Sequence, residues 1–144
     1  KIMSLSNPLE KMSKSSEDQN SVVFLMDTDD QIRKKIKRAV TDSGSEITLS
    51  DEKPGIKNLI TIQSAITGKS AEEITNSYQG KQYGHLKVET AEIVVECVSK
   101  IRTEAQSYLK DKAELDKILA SGAARAEEKA MSTLTELKKH LGLL

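Results

Sequence analysis

The order of apolar and polar residues predicts an amphipathic helix in the first third of the chain. Carboxylates at Asp27–Asp30 suit a helix start, because they accept bonds from free N–H groups and face the positive end of the helix dipole. Asp42–Gly44 is typical of a helix end, since glycine tolerates a left-handed cap. Between these signals, one face of the predicted helix carries an apolar stripe of Ile32, Ile36, Ala39 and Val40.

Two more helices are predicted after the turn at Pro54–Gly55. Apolar residues recur at helical spacing from this turn to Gly68, which predicts the second helix. Ser70 and Glu73 have the spacing of a capping box, in which each side chain bonds the backbone N–H of the other residue. They predict a short third helix over about Ala71–Tyr78.

The second half of the chain carries the longest apolar stripe. After a loop at Gly80–Gly84, this stripe predicts a helix over roughly Lys87–Leu109. A shorter helix is expected over Ala113–Ala120, and Gly122 is expected to separate it from a last helix that ends near Leu141. The fold class is therefore mainly α, a helical bundle of about six helices with short connections.

Extended segments are few and short. The apolar patch Ile2–Leu5 is consistent with the end of a buried strand, and Val22–Leu25 with one short strand. Ile47–Leu49 is a weaker extended patch. At most one or two short strands accompany the helices.

Composition narrows the functional classes. The chain has 144 residues, enough for one domain with a buried core, and its 22 basic and 22 acidic residues balance. A nucleic-acid footprint must therefore be local. Cys97 is the single cysteine, which excludes an internal disulfide framework and favours a reducing compartment such as the cytoplasm. No apolar run approaches the roughly 20 residues needed to span a bilayer, so no membrane association is expected.

One local charge cluster lies on the first predicted helix. At about 100° per residue, Lys34, Lys37 and Arg38 fall opposite the apolar stripe, with Arg33 and Lys35 flanking them. Two interpretations stay open. The cluster is either a solvated helix face or a surface that faces phosphates, on ATP or on an RNA backbone.

The pentapeptide Lys11–Ser15 carries the most specific chemistry. Pro8 precedes it and favours a loop, because its ring fixes φ and restricts Asn7 to extended conformations. Lys11 and Lys14 can direct two ammonium groups at one anion, while two serines and the backbone N–H groups add donors. These groups are what a polyphosphate site needs.

The pentapeptide is the KMSKS signature of class I aminoacyl-tRNA synthetases, and with four further stretches it resembles the tryptophanyl-tRNA synthetases. These stretches are Asp29–Ser43, Lys53–Leu59, and the two ends Ile2–Leu5 and Leu141–Leu143. The resemblance covers nearly the whole chain. It implies that residues 1–26 end a catalytic nucleotide-binding fold and that residues 27–144 form an α-helical domain that binds the tRNA anticodon. The implied enzyme activates tryptophan with ATP, releases pyrophosphate and esterifies the 3′ end of tRNA(Trp).

The resemblance also implies roles for individual residues. Lys11 and Lys14 match the catalytic lysines, which stabilise charge on the leaving pyrophosphate. ATP contacts are implied for the backbone of Ile2 and for the remaining loop residues Met12, Ser13 and Ser15. Mg²⁺ is expected to arrive with ATP, with no protein ligand identified. Some relatives hold an iron–sulfur cluster, but Cys97 alone cannot supply its ligands, so neither a cluster nor another metal site is expected.

The His-containing signature of the class has no counterpart in the sequence. We therefore expect a piece of a longer protein that lacks an N-terminal domain, and we expect this chain to be inactive alone. The resemblance implies a homodimer that forms mainly through that missing domain, and a monomer for this piece. The expected compartment is the cytoplasm or an organellar matrix.

Three other interpretations compete with this one. A stand-alone helical RNA-binding module would explain the basic helix face, but it would have no need of the KMSKS loop. A piece of a tyrosyl-tRNA synthetase is the second, because that enzyme carries a similar loop. A helical protein–protein interaction domain is the third.

Overall fold

The chain is described here by a computed structural model that covers residues 1–143. Five helices make up the regular structure of these residues, and they form no strand beyond one isolated antiparallel bridge between Met3 and Lys11. The prediction of a mainly α fold is confirmed. The helices are α1 (Asp29–Lys37), α2 (Pro54–Thr67), α3 (Ala71–Ser77), α4 (Tyr83–Lys110) and α5 (Lys112–His140).

Local signals position the first three helices. Thr28 caps α1 and forms a capping box with Gln31. The predicted box of Ser70 and Glu73 is present at the start of α3. Gly68, at φ 74°, ends α2 in the left-handed conformation that favours glycine.

The chain divides into two compact units, Lys1–Arg102 and Thr103–Leu144. The first unit is built on a buried apolar core, to which the stripes of α1 and α2 contribute fully buried side chains such as Ile36 and Leu59. Seven polar or charged residues are also buried in this unit. Among them Gln63 donates from Nε2 to the hydroxyl oxygens of Tyr78 at 2.9 Å and Thr90 at 2.8 Å. The core of this unit is therefore mainly apolar, and hydrogen bonds satisfy the buried amide of Gln63 within it.

The second unit has a different character. The helix α5 contains no buried residue. Apolar side chains that the sequence pattern would place on a core-facing stripe are exposed, including Leu119 at 61% and Leu137 at 53%. None of the helices in residues 1–143 is long and apolar enough to cross a membrane.

Two predicted helix boundaries are wrong. Helix α1 ends at Lys37, not at Asp42–Gly44, because the chain leaves the helix and the Val40 N–H donates to the Leu5 carbonyl at 2.7 Å. Val40 is consequently 48% exposed instead of buried on the apolar stripe. Helix α4 begins at Tyr83, so the predicted loop at Gly80–Gly84 is shorter than expected.

The predicted break at Gly122 is also wrong. Residues Lys112–His140 form one continuous helix, which reduces the six predicted helices to five. A glycine inside a helix costs only about 1 kcal/mol relative to alanine, and the alanine-rich sequence around it favours helix. The domain boundary expected near residue 26 stays a prediction.

Candidate functional site

The loop Lys11–Ser15 projects from a stem that backbone hydrogen bonds hold together. On the entry side, the Met12 N–H donates to the Ile2 carbonyl at 3.2 Å and the Ser4 N–H donates to the Glu10 carbonyl at 2.8 Å. The Leu5 N–H donates to the Ser21 carbonyl at 2.9 Å on the return side. Both ends of the loop are therefore attached to the same short segment at the start of the chain.

A buried amide on α2 supports that segment from below. Asn58 is 4% exposed, and its side chain accepts from the Met3 N–H and donates to the Met3 carbonyl, both at 2.8 Å. The pair of bonds imitates the pairing that a neighbouring strand would give. The segment is thus satisfied without a sheet, and α2 sets its position.

The loop itself exposes its charged and hydroxyl groups. Neither Lys11 nor Lys14 forms an ion pair within residues 1–143, and both side chains are exposed. The Ser13 and Ser15 hydroxyls lie 3.0 Å apart, and the Ser15 N–H donates to Ser13 Oγ at 3.4 Å. Met12 packs against the core, as does Ile2. The structure thus gathers two unpaired ammonium groups and two hydroxyls on one anchored loop, as an anionic ligand requires.

The predicted basic face divides into two parts. Lys34, Lys37 and Arg38 are exposed and form no ion pair within the described residues. Arg33 instead donates to both carboxylate oxygens of Glu92, at 2.8 and 3.0 Å. This contact lowers the pKa of Glu92 and raises that of Arg33.

Lys35 lies on the opposite side of the same helix. It is 8% exposed, and its ammonium group is 2.6 Å from Asp27 Oδ2 and 3.0 Å from the Val22 carbonyl oxygen. The helical spacing alone predicts Lys35 at the flank of the basic face. Its position three residues after Ile32 and one before Ile36 already put it on the apolar stripe, and that spacing was the signal for burial.

A polar cleft of about 560 Å³ lies elsewhere in the first unit, lined by residues 45–48, 75–76 and 78–82. Asn76, Gln79 and Gln82 line this cleft and are exposed, so their side-chain amides are accessible to a ligand. Lys81 adds a cation 5.1 Å from the centre of the Tyr78 ring. Sequence reasoning missed this site, although three amide side chains within seven residues were its signal.

A buried tyrosine fixes the loop that forms one wall of the cleft. The Tyr83 hydroxyl donates to Asp42 Oδ1 at 2.7 Å, and the Lys53 ammonium donates to the Glu46 carbonyl at 2.8 Å. Burial, with a smaller contribution from Asp42, raises the pKa of Tyr83 to about 12. The hydroxyl in turn lowers the pKa of the Asp42 carboxyl. These contacts hold the loop without regular secondary structure.

Comparison with known proteins places the anchored loop in a family. The family described as tRNA synthetases class I (W and Y) matches residues 1–99, and the chain belongs to it. Within that family the chain is similar to tryptophan–tRNA ligases. That of Caldanaerobacter subterraneus subsp. tengcongensis is 46% identical over 145 residues, and that of Clostridium perfringens is 42% identical over 144 residues.

The coverage of these matches is unequal. They include 100% of this chain but 44% and 43% of the relatives, so the chain spans less than half the length of the curated relatives it matches. It corresponds to their C-terminal part. Among solved structures, the tryptophanyl-tRNA synthetase from Mycoplasma pneumoniae aligns with a TM-score of 0.82 and 30% identity, over 99% of this chain and 45% of that one. The enzyme from Campylobacter jejuni shares the fold, with a TM-score of 0.68.

Proposed function

We propose that this chain is the C-terminal part of a tryptophan–tRNA ligase. The observation that carries the proposal is the KMSKS loop, attached at both ends and presenting two unpaired lysines. In the complete enzyme, a carboxylate oxygen of tryptophan attacks the α-phosphorus of ATP and pyrophosphate leaves. A hydroxyl at the 3′ end of tRNA(Trp) then attacks the carbonyl of the adenylate, and AMP leaves.

Lys11 and Lys14 act in the first step. As the bond to pyrophosphate breaks, negative charge accumulates on the oxygens of the leaving group. Two ammonium groups that already stand on one loop stabilise this charge more than they stabilise bound ATP. A loop fixed at its ends and exposed between them can also close over the nucleotide and open for release.

The remaining ATP contacts follow from the same loop. We assign them to the backbone of Ile2, to Met12, and to the hydroxyls of Ser13 and Ser15. Mg²⁺ would arrive with ATP and neutralise part of the phosphate charge. We assign it no protein ligand, and residues 1–143 contain no cluster of three or more metal-ligating His, Cys, Asp or Glu side chains.

The helical part of the chain is proposed to bind tRNA(Trp). Lys34, Lys37 and Arg38 would contact phosphates of ATP or of the RNA backbone, because the three side chains are exposed and free of ion pairs within residues 1–143. Arg33 belongs to the same face, but its guanidinium group is already bound by Glu92 and should contribute less. Phosphate contacts of this kind position an RNA without reading its sequence.

Reading of the anticodon bases is proposed for the polar cleft. Asn76, Gln79 and Gln82 offer amide groups, which can hydrogen-bond the edges of unstacked bases in single-stranded loops. The cleft volume of about 560 Å³ is large enough to admit a nucleobase. The complete enzyme is proposed to be a cytoplasmic homodimer, and this chain by itself to be inactive.

The central test is tryptophan-dependent pyrophosphate exchange by the full-length protein. Lys14→Ala should lower the exchange rate by about 10²- to 10³-fold, because one of the two charges on the leaving group is lost. Tryptophan binding, measured by calorimetry, should remain nearly unchanged. Lys69→Ala is the matched control, an exposed lysine in the α2–α3 connection.

Each outcome has a clear meaning. An unchanged rate in Lys14→Ala removes Lys14 from the mechanism. Exchange with tyrosine instead of tryptophan would favour the tyrosyl enzyme. Specific tRNA binding without any exchange in the full-length protein would favour the RNA-binding module.

A second test separates phosphate contacts from base contacts. In filter binding of tRNA(Trp) at several salt concentrations, Lys37→Ala should reduce the salt dependence by roughly one released counterion and weaken all tRNAs alike. Gln79→Ala should instead reduce selectivity for tRNA(Trp), by about 1–3 kcal/mol if the amide reads a base. If the two variants changed salt dependence and selectivity in the same way, the proposed separation of phosphate contacts from base contacts would be contradicted.

A further inference from the structure

The return end of the KMSKS loop is followed at once by a segment that a buried lysine holds. Lys35 donates from its ammonium group to the Val22 carbonyl at 3.0 Å and to Asp27 Oδ2 at 2.6 Å. The same group lies 4.8 Å from the centre of the Phe24 ring. One side chain on α1 therefore contacts three positions of the segment 22–27.

This segment is continuous with the residue that closes the loop. Ser21 is 3% exposed, its hydroxyl donates to the Asp18 carbonyl at 2.6 Å, and the same oxygen lies 2.8 Å from Ser16 Oγ, within hydrogen-bond distance. The Ser16 N–H donates in turn to the Ser13 carbonyl at 3.3 Å. A shift of Val22 would move Ser21, and hydrogen bonds connect that residue to the KMSKS loop in two steps.

The ammonium group of Lys35 has no substitute within residues 1–143. The Val22 carbonyl accepts from no other donor there, and Asp27 is 8% exposed with only the Phe24 N–H, at 2.8 Å, as a further donor to its carboxylate. Removing the ammonium leaves a buried carbonyl unsatisfied and a buried carboxylate without its cation. Both changes are costly, so the segment would move towards solvent.

We infer that Lys35 is a positioning residue for the ATP-dependent step, because it fixes the return end of the KMSKS loop and thereby the location of Lys14. This inference rests on the proposed function. Lys35 itself is buried and touches no substrate. Its action is on the geometry of a loop whose ammonium groups must stand where charge develops.

The experiment compares three variants of the full-length protein. Lys35→Met removes the charge while keeping an unbranched side chain, and Lys69→Met is the control, because Lys69 is an exposed lysine in the α2–α3 connection with no proposed ligand contact. The double variant Asp27→Asn with Lys35→Met removes both charges, which relieves the unpaired buried carboxylate. Three quantities are measured: the thermal midpoint, the kcat and KM for ATP in pyrophosphate exchange, and the rate of trypsin cleavage after Lys11 and Lys14.

Lys35→Met should lower kcat on the order of tenfold, as expected when a catalytic group is misplaced. Cleavage of the loop by trypsin should rise by a similar factor, and Lys69→Met should change neither quantity. In the double variant the thermal midpoint should recover, while kcat stays low and cleavage stays fast, because the Val22 carbonyl still lacks its donor. If Lys35→Met fails to fold, the double variant carries the test.

Two results would overturn the inference. One is wild-type kcat and wild-type cleavage in Lys35→Met. The other is recovery of kcat and cleavage together with stability in the double variant, which would make Lys35 a purely structural residue. Absence of exchange in the wild-type protein would refute the proposed function instead, and trypsin cleavage would still decide whether Lys35 anchors the loop.

Discussion

The two compact units of this chain have similar apolar stripes on their helices, but they differ in whether these stripes are buried. In residues 1–102 the apolar stripes are buried, and Ile32 and Ile56 have no exposed surface. In residues 103–144 the helix α5 has an apolar stripe of the same kind, yet it buries none of its residues. Hydrophobic spacing therefore predicts a helix in both units but predicts burial only where other segments pack against it.

The two units also differ in the kind of contact that stabilises them. The first unit depends on tertiary contacts such as the Asn58 amide on Met3 and the Lys35 ammonium on Val22. Local contacts define α5, where the Asp111 side chain accepts from the Glu114 N–H at 3.0 Å and basic residues Lys138 and Lys139 face the negative end of the helix dipole. Substitutions that change close packing should thus act on the first unit, and substitutions that change helix propensity on the second.

The largest expected effect comes from Gly55→Ala, which tests close packing. A Cβ atom at residue 55 would stand 2.2 Å from the Val40 carbonyl oxygen, so backbone must move. We expect a loss of about 1–3 kcal/mol in the free energy of unfolding. Urea denaturation of the 144-residue chain, followed by circular dichroism, measures it, and an unchanged midpoint would show that the two segments separate easily.

A smaller effect, confined to alkaline pH, is expected from the buried tyrosines of the first unit. Burial raises the pKa of Tyr78 and of Tyr83 to about 12, above the ordinary value of 10.0. The folded state therefore keeps protons that the unfolded chain releases, so this stability is complete below pH 10 and is lost as the pH rises from 10 to 12.

Urea midpoints measured between pH 9 and 12 test this expectation. Tyr78→Phe should flatten the loss of stability over this interval, whereas Tyr108→Phe, which changes a tyrosine 48% exposed in the second unit, should not. A wild-type midpoint that does not fall above pH 10 would contradict the assigned shifts.

The smallest effect is expected from Gly122→Ala in α5, and it has the opposite sign from Gly55→Ala. A Cβ atom at residue 122 would meet no atom within 4 Å, and the residue lies inside a continuous helix. The substitution should raise helix stability by about 0.5–1 kcal/mol, because glycine loses more backbone entropy than alanine. A loss of stability would show that α5 is not helical around this residue in solution.

Much of the fold could be predicted because its signals are local. The capping box of Ser70 and Glu73 and the left-handed Gly68 each involve neighbours within a few residues. The error at the end of α1 arose where a distant group competed with the local pattern. Val40 continues the apolar spacing of α1, yet its N–H binds the Leu5 carbonyl and the helix ends earlier.

The candidate site shows the same division. The KMSKS loop could be recognised from five consecutive residues, since its charges and hydroxyls are its chemistry. Asn58 lies 55 residues away from Met3 in the sequence. It could not be linked to the loop from the sequence, because an asparagine side chain does not reveal which distant group it binds. The polar cleft likewise combines residues 45–48 with residues 75–76 and 78–82, and only folding brings them together.

The sequence by itself thus determined the helices, their caps and the chemistry of the loop, because hydrophobic spacing and turn residues act over short distances. Tertiary structure decided which stripes are buried, which lysines of α1 face solvent, and how the loop is fixed. Lys34 and Lys35 are neighbours with the same side chain. Lys34 is exposed and Lys35 is buried against Asp27, because a helix turns each residue by about 100° and only packing decides what that direction meets.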